Sequence, residues 1–263
     1  RVLGSRLWRR QVATKDDPAV WQRGSGAAEA DITTSALSSC NRQSEAQDYW
    51  PVIGAHHPDA WLWLGDIIYA DRYGIDGLAG QYDIQKKAPA YAAFIDETNY
   101  VYGIYDDHDY GMNDGGKEYE HKAAAKDHLL EFLDVPADAA VRQREGSYQS
   151  YLIGEGDRVV KIILLDSRYF RDAVAPPTKK DHRYGQNKTG DIPGEAQRAW
   201  LETELHNSEA AAHEIDSRIQ VLPDDHGFEN CANFTTAPNR MHARLNGPPP
   251  HPPHPITQHP PHP

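Results

Sequence analysis

Only two cysteines, Cys40 and Cys231, occur in the 263 residues. That is too few for a disulfide framework, so a buried core must hold the fold, and the redox compartment stays open. Long apolar runs are also missing. No stretch reaches the roughly 18 consecutive apolar residues that a membrane-spanning helix needs. Positive charge is in deficit: 27 Lys and Arg stand against 39 Asp and Glu, a formal net charge of −12. This argues against a general binder of nucleic acid or anionic membrane, because phosphate backbones and acidic headgroups attract basic surfaces. An acidic protein takes a phosphate ester by placing cations at the site, which makes metal ligands the first thing to look for. The opening RVLGSRLWRR is basic but lacks the apolar segment of a secretory signal, and the start at Arg1 reads as a fragment edge. The sequons at Asn187 and Asn233 accept glycans only in a secretory compartment.

Three regions follow from patterning. Residues 1–30 are mixed and polar without a sustained period, and read as an irregular lead-in. Residues 235–263 read as a disordered tail, since Gly247 to Pro263 holds nine prolines and four histidines and can support neither helix nor ladder. Residues 31–234 alternate strand-like and helix-like segments, the pattern of an α/β domain. The expected strands are Ala60–Leu64, Val101–Tyr105, Tyr148–Ile153, Val159–Leu165 and Ile219–Leu222. The expected helices are Ala46–Ile53, Leu78–Ile95, Tyr119–Leu133 and Glu195–His206, the last opened by Gly194 in the manner of an N-cap.

Four polar clusters fall directly after apolar runs, where open α/β sheets place ligand sites. They are Ser39-Cys40-Asn41, Gly65-Asp66 with Tyr69 and Asp71, Asp106-Asp107-His108-Asp109, and Asp166-Ser167-Arg168. Three carboxylates and a histidine in a row either sit solvated on a loop or, at the end of a buried strand, need a counter-cation such as a metal ion. Asp66 after a turn-permitting glycine is a ligand or a cap for the next turn. Tyr69 is a core aromatic or an oxygen ligand. Cys40 is a small buried hydrophobe unless a metal lies close enough to make it a thiolate. Arg168 forks onto a phosphate or pairs with a neighbouring acid. Asn41 and Asp166 are candidate substrate contacts.

The ordered blocks SCN at 39–41, GDIIYAD at 65–71 and YDDHD at 105–109 resemble the motif series of the alkaline phosphatase D family, a branch of the calcineurin-like metallophosphoesterases. LLDSRYFR at 164–171, GEAQRAWLETEL at 194–205 and IQVLPDDHGFE at 219–229 continue the likeness, which covers about Ser38 to Phe234. The resemblance implies a two-sheet sandwich flanked by helices and a dinuclear site. Cys40 and Tyr69 would hold an iron(III)-type ion, Asp66 would bridge, Asp107 would be a ligand, and His108 would be the catalytic histidine; Arg168 is the other catalytic candidate, by its fork onto the phosphate if it does not pair with an acid. Iron and calcium are the implied ions, with magnesium, manganese and zinc left open. Phosphate mono- or diesters are the implied substrates, and secretion is a compartment consistent with the family.

One block of that pattern is missing. The family's C-terminal Gly-Asp-x-His ligand segment has no counterpart after Phe234, and Glu229-Asn230-Cys231 stands where the family tends to show Glu-Lys-Trp. The second half of the sandwich is therefore expected to be incomplete, with His226 as the nearest substitute ligand. Two functions follow: a metal-dependent phosphoesterase, or a catalytically impaired relative that binds metal or phosphate weakly. An acidic hydrolase working without metal is a third, separated from the first by its indifference to chelator.

Overall fold

Alternate residues of the apolar runs face two different cores. In β2 (Ala60–Leu64), Ala60 and Leu62 join one apolar cluster while Trp61 and Trp63 join another. In β3 (Tyr100–Ile104), Tyr100, Tyr102 and Ile104 join the first and Val101 the second. This period of two is what a strand buried on both faces requires. A computed structural model describes residues 32–177, 183–221 and 228–234 of the chain. The lead-in at 1–30, His226 and the tail at 235–263 lie outside the described residues.

The elements in chain order are β1 (Ser35–Ser38), α1 (Trp50–Gly54), β2, α2 (Gly74–Lys86), α3 (Pro89–Asp96), β3, α4 (Asp107–Tyr110), α5 (Lys122–Phe132), β4 (Gln149–Ile153), β5 (Val160–Leu164), α6 (Gly194–His206) and β6 (Ala212–Asp216). One sheet has the order β1-β2-β3, all parallel. The other has the order β4-β5-β6, with β4 antiparallel and β6 parallel to β5.

Both sheets contribute to one shared cluster. Ala60, Leu62, Tyr100, Tyr102 and Ile104 from the first meet Tyr151, Ile153, Ile162 and Leu164 from the second, and Tyr102 stacks on Tyr151 at 3.6 Å between ring centroids. The first sheet's other face packs on the helical layer through Trp50, Trp61, Trp63, Phe94, Leu129 and Leu130. Trp50 lies 5.2 Å from both Trp61 and Phe94, and such ring pairs add about 0.5–1.5 kcal/mol each beyond area burial. The second sheet's other face meets α6 through Ile163, Leu165 and Leu201. Among the described residues, no helix is long and apolar enough to cross a membrane.

The mixed α/β architecture expected from the sequence is present, with corrections to individual elements, and β1 (Ser35–Ser38) is a strand beyond those expected. The helix expected over Leu78–Ile95 is two helices, because Pro89 lacks an N–H and forces Ala88 into an extended conformation, ψ 119°. No strand forms over residues 219–221; the sixth strand is Ala212–Asp216, whose polar sequence AHEID conceals it. Trp50 opens a short α1 where a longer helix over Ala46–Ile53 was expected. At α6 the cap position is Pro193, with no side-chain cap, and Gly194 supplies φ +68°.

Candidate metal centre

The carboxyl ends of β1, β2, β3 and β6 deliver their following residues to one place. Cys40 follows β1, Asp66 follows β2, Asp106 to His108 follow β3, and Arg218 follows β6. The turn after β2 depends on glycine. Gly65 has φ +82°, and a Cβ there would lie 2.5 Å from the Asp106 Cβ and 2.6 Å from its nitrogen. Two non-glycine residues of the site share the left-handed region, Cys40 at φ 60° and Asp66 at φ 50°. Such backbone costs about 1–3 kcal/mol each and persists only where its surroundings hold it.

Asp109 supplies part of that hold. It is fully buried, and its carboxyl accepts the backbone N–H groups of Asp66 (3.2 Å), Ile67 (2.9 Å) and Asp106 (2.6 Å). The carboxylate of Asp109 thus ties the β2 turn to the β3 turn. Burial, and then the charge of Asp66, push its pKa well above the usual carboxylate range.

Asp66, Asp107 and His108 each offer one ligand atom, and these atoms lie within 4.8 Å of one another. Asp66 is 2% exposed, and its Oδ1 has no hydrogen-bond partner among the described residues. An orphaned buried carboxylate oxygen is costly unless a cation or water meets it. Two carboxylates and an imidazole suit a hard or borderline cation, so these residues fit one metal ion. Burial opposes ionisation of Asp107, but Arg168 and the Asp114 N–H at 2.7 Å outweigh it and hold its pKa below the usual value. His108 Nδ1 lies 3.0 Å from Asp71 Oδ1, and the imidazole ring lies 4.2 Å from the Tyr69 ring.

The other side of Asp66 is different. Its Oδ2 is 3.4 Å from Cys40 Sγ, 3.4 Å from the Tyr69 hydroxyl and 3.3 Å from Arg218 Nη2. Arg218 Nη2 also reaches Cys40 Sγ at 3.4 Å, and its Nε lies 2.9 Å from Asp106 Oδ2, although without the alignment of a hydrogen bond. The donors that would hold a second ion therefore already face a guanidinium. A divalent ion about 4 Å from that group would meet roughly 8 kcal/mol of repulsion at an effective dielectric constant near 20. Burial, and then the charge of Asp66, push the Tyr69 phenol well above its usual range, so a phenolate forms there only against a cation.

Three residues expected at the substrate are committed elsewhere. Arg168 is 3% exposed; it pairs with Asp106 at 2.5 Å and Glu229 at 2.7 Å, so its fork meets neighbouring acids. Asn41 is buried and donates to the Ile67 carbonyl and to Gln85 Oε1, both at 2.7 Å. Asp166 is buried and accepts from Tyr105 (2.5 Å), Ser147 N (2.7 Å), Arg168 N and Tyr169 N (both 2.9 Å), which organises the turn after β5. Glu229, in the segment that departs from the family pattern, bridges Arg168 and Arg171, while Cys231 packs with Ile192, Ile219 and Phe234.

Sequence reasoning missed Arg218. The rule that located the other clusters, a polar residue just after a strand, would have found it had β6 been recognised. Burial raises Asp106 to about 7 even against Arg168 and Arg218.

The fold is similar to that of a solved structure of PhoD, with a TM-score of 0.59 and 17% sequence identity over 83% of this chain and 49% of that one. The chain thus spans about half the length of that structure, and at this identity the likeness speaks for the fold. No protein-family model matches the sequence, and no curated protein does.

Proposed function

We propose that this chain carries a calcineurin-like metallophosphoesterase site of the alkaline phosphatase D type, which hydrolyses phosphate mono- or diesters with the help of bound metal. The observation that carries this reading is the convergence of Asp66, Asp107 and His108 around an unpartnered Asp66 oxygen, on a fold similar to that of PhoD.

In this reading Asp66 and Asp107 are the anionic ligands and His108 supplies the third donor, its ring held by Asp71. A cation bound there would polarise a phosphoryl oxygen and lower the pKa of water at the site. Arg218 stands beside these ligands with 24% of its side chain exposed, enough to present an N–H to an incoming phosphate. Arg168 works at one remove by keeping Asp106 and Asp107 in place. Iron and calcium are the ions that the family resemblance implies, and the donor set also accepts manganese, zinc or magnesium.

The test is hydrolysis of bis-p-nitrophenyl phosphate and p-nitrophenyl phosphate, with and without EDTA, beside Asp66→Ala and Asp107→Ala. Turnover should vanish in EDTA, return when cations are added back, and be absent from both variants. Turnover that ignores EDTA and both substitutions would overturn the reading. A second reading, a relative that binds metal without turning substrate over, is favoured by the guanidinium lying against Asp66 and Cys40. It predicts metal content removed by Asp66→Ala with no hydrolysis of either ester.

A further inference from the structure

The residues that family resemblance assigns to two ions divide unequally around Asp66. On one side Asp66 Oδ1 has no partner, and Asp107 and His108 converge with Asp66. On the other, Asp66 Oδ2, Cys40 Sγ and the Tyr69 hydroxyl form a second donor group whose members lie 3.4 Å from Asp66 Oδ2. Arg218 Nη2 sits against two of these atoms, at 3.3 Å and 3.4 Å. The guanidinium carries a fixed positive charge and has no acceptor atom. It can neutralise these donors, and it cannot share them with a metal ion at ligand distance.

We propose that Arg218 takes the place of a second metal ion, so that the site is mononuclear, with one cation held by Asp66, Asp107 and His108 and one guanidinium held by Asp66, Asp106 and Cys40. This rests on the metal reading above and sharpens it. Arg218 comes from a different strand than every other member of the site, at a separation of 152 residues from Asp66 and 178 from Cys40. Its position is set by β6, which pairs in parallel with β5, Asp216 opposite Leu164. Two residues beyond that pair, the Arg218 side chain is largely buried and faces Asp66, Asp106 and Cys40. A phosphate ester would then meet one metal ion and the free edge of one guanidinium.

Cobalt(II) binding to the chain of residues 1–263 tests this without reference to turnover. Cobalt bound by a thiolate gives a sulfur-to-metal charge-transfer band in the near ultraviolet, and cobalt bound only by carboxylate and imidazole does not. The stoichiometry is counted against Asp66→Ala, which retains the histidine-rich tail. The expected results are one equivalent and no charge-transfer band for the parent and for Arg218→Lys. Arg218→Ala should take two equivalents and show the band, and Cys40→Ser in that background should remove the band. A second equivalent or a thiolate band in the parent would overturn the proposal while leaving the metal reading intact, as would a single equivalent in Arg218→Ala. A parent that binds no more cobalt than Asp66→Ala would overturn both.

Discussion

His108 Nδ1 lies 3.0 Å from Asp71 Oδ1, at a contact between the turn after β3 and the one after β2. Both side chains are partly exposed, 23% and 33%, so the contact contributes little to stability and much to where the imidazole points. A carboxylate behind a ligating histidine fixes its tautomer and strengthens it as a donor, and loss of such a partner typically costs about 10–100-fold in metal affinity or activity. Asp71→Asn should weaken metal binding by that factor with an unchanged melting temperature, read by titration calorimetry and thermal unfolding. Equal affinity in parent and variant would mean that the pair only decorates the surface.

Gly65 is where the β2 turn passes closest to the β3 turn. A Cβ there would press within 2.5–2.6 Å of Asp106, at φ +82°. Gly65→Ala should destabilise the protein by on the order of 3 kcal/mol, from backbone strain and overpacking together. It should also lower metal content, because Asp66 moves with the turn. Denaturant unfolding and metal analysis read the two effects.

Arg168 is enclosed by Asp106 and Glu229, so truncating it removes a buried cation from two buried carboxylates, leaving Asp106 with Arg218 alone and Glu229 with Arg171 alone. Arg168→Ala should cost about 3–5 kcal/mol of stability. A role in binding phosphate predicts a different result: a raised KM with normal stability, and inhibition by inorganic phosphate weakened to match. Unfolding and steady-state kinetics on the same preparation separate them.

Asp216 gives a pH dependence. Burial, then the charge of Glu214, raise its pKa to about 7, and its Oδ2 has no hydrogen-bond partner among the described residues. The folded state therefore holds the proton more tightly than the unfolded chain does. The stability this provides is complete below the unfolded value near 4 and is lost as the pH rises through 7. Asp106 and Asp109, also raised by burial, contribute a decline of the same sign, so Asp216→Asn should make the decline shallower and raise stability at pH 8 by about 2–4 kcal/mol, measured as unfolding free energy from pH 4 to 8. A parallel decline in the variant would place the titration elsewhere.

β2 and β3 of the first sheet were legible in the sequence because they are buried on both faces, whereas β1, half-exposed along its length, was not. AWLWL is continuous apolar text between a proline and Gly-Asp, and the strand found is Ala60–Leu64 as expected. VYGIY and VVKIILL were located to within a residue at each end for the same reason. β6 was not legible. Its residues Ala212 and His213 are exposed, and beside its backbone pairing to β5 it contributes one apolar side chain, Ile215, to the cluster of Ile163, Leu165 and Leu201, too little for an apolar run to show. The split of one expected helix into α2 and α3 was present in the text as Pro89, but the helical spacing on either side obscured it.

The sequence alone determined which residue types stand at the strand ends, and so that carboxylates, a histidine, a thiol and a phenol would be near one another. A parallel strand presents its next residues at one edge of the sheet whatever the rest of the fold does. Only the tertiary structure decided how those groups are shared out. Arg168, Asn41 and Asp166 look outward in the linear text, yet each is buried and bonded, because the turn after β5 and the loop after β1 need their polar atoms paired inside the protein. Arg218, unremarkable in the sequence, arrives from the far end of the described chain with a fixed charge and settles against Asp66 and Cys40. Charge balance at a buried site is a property of everything that converges there, and that sum can be taken only once the chain has folded.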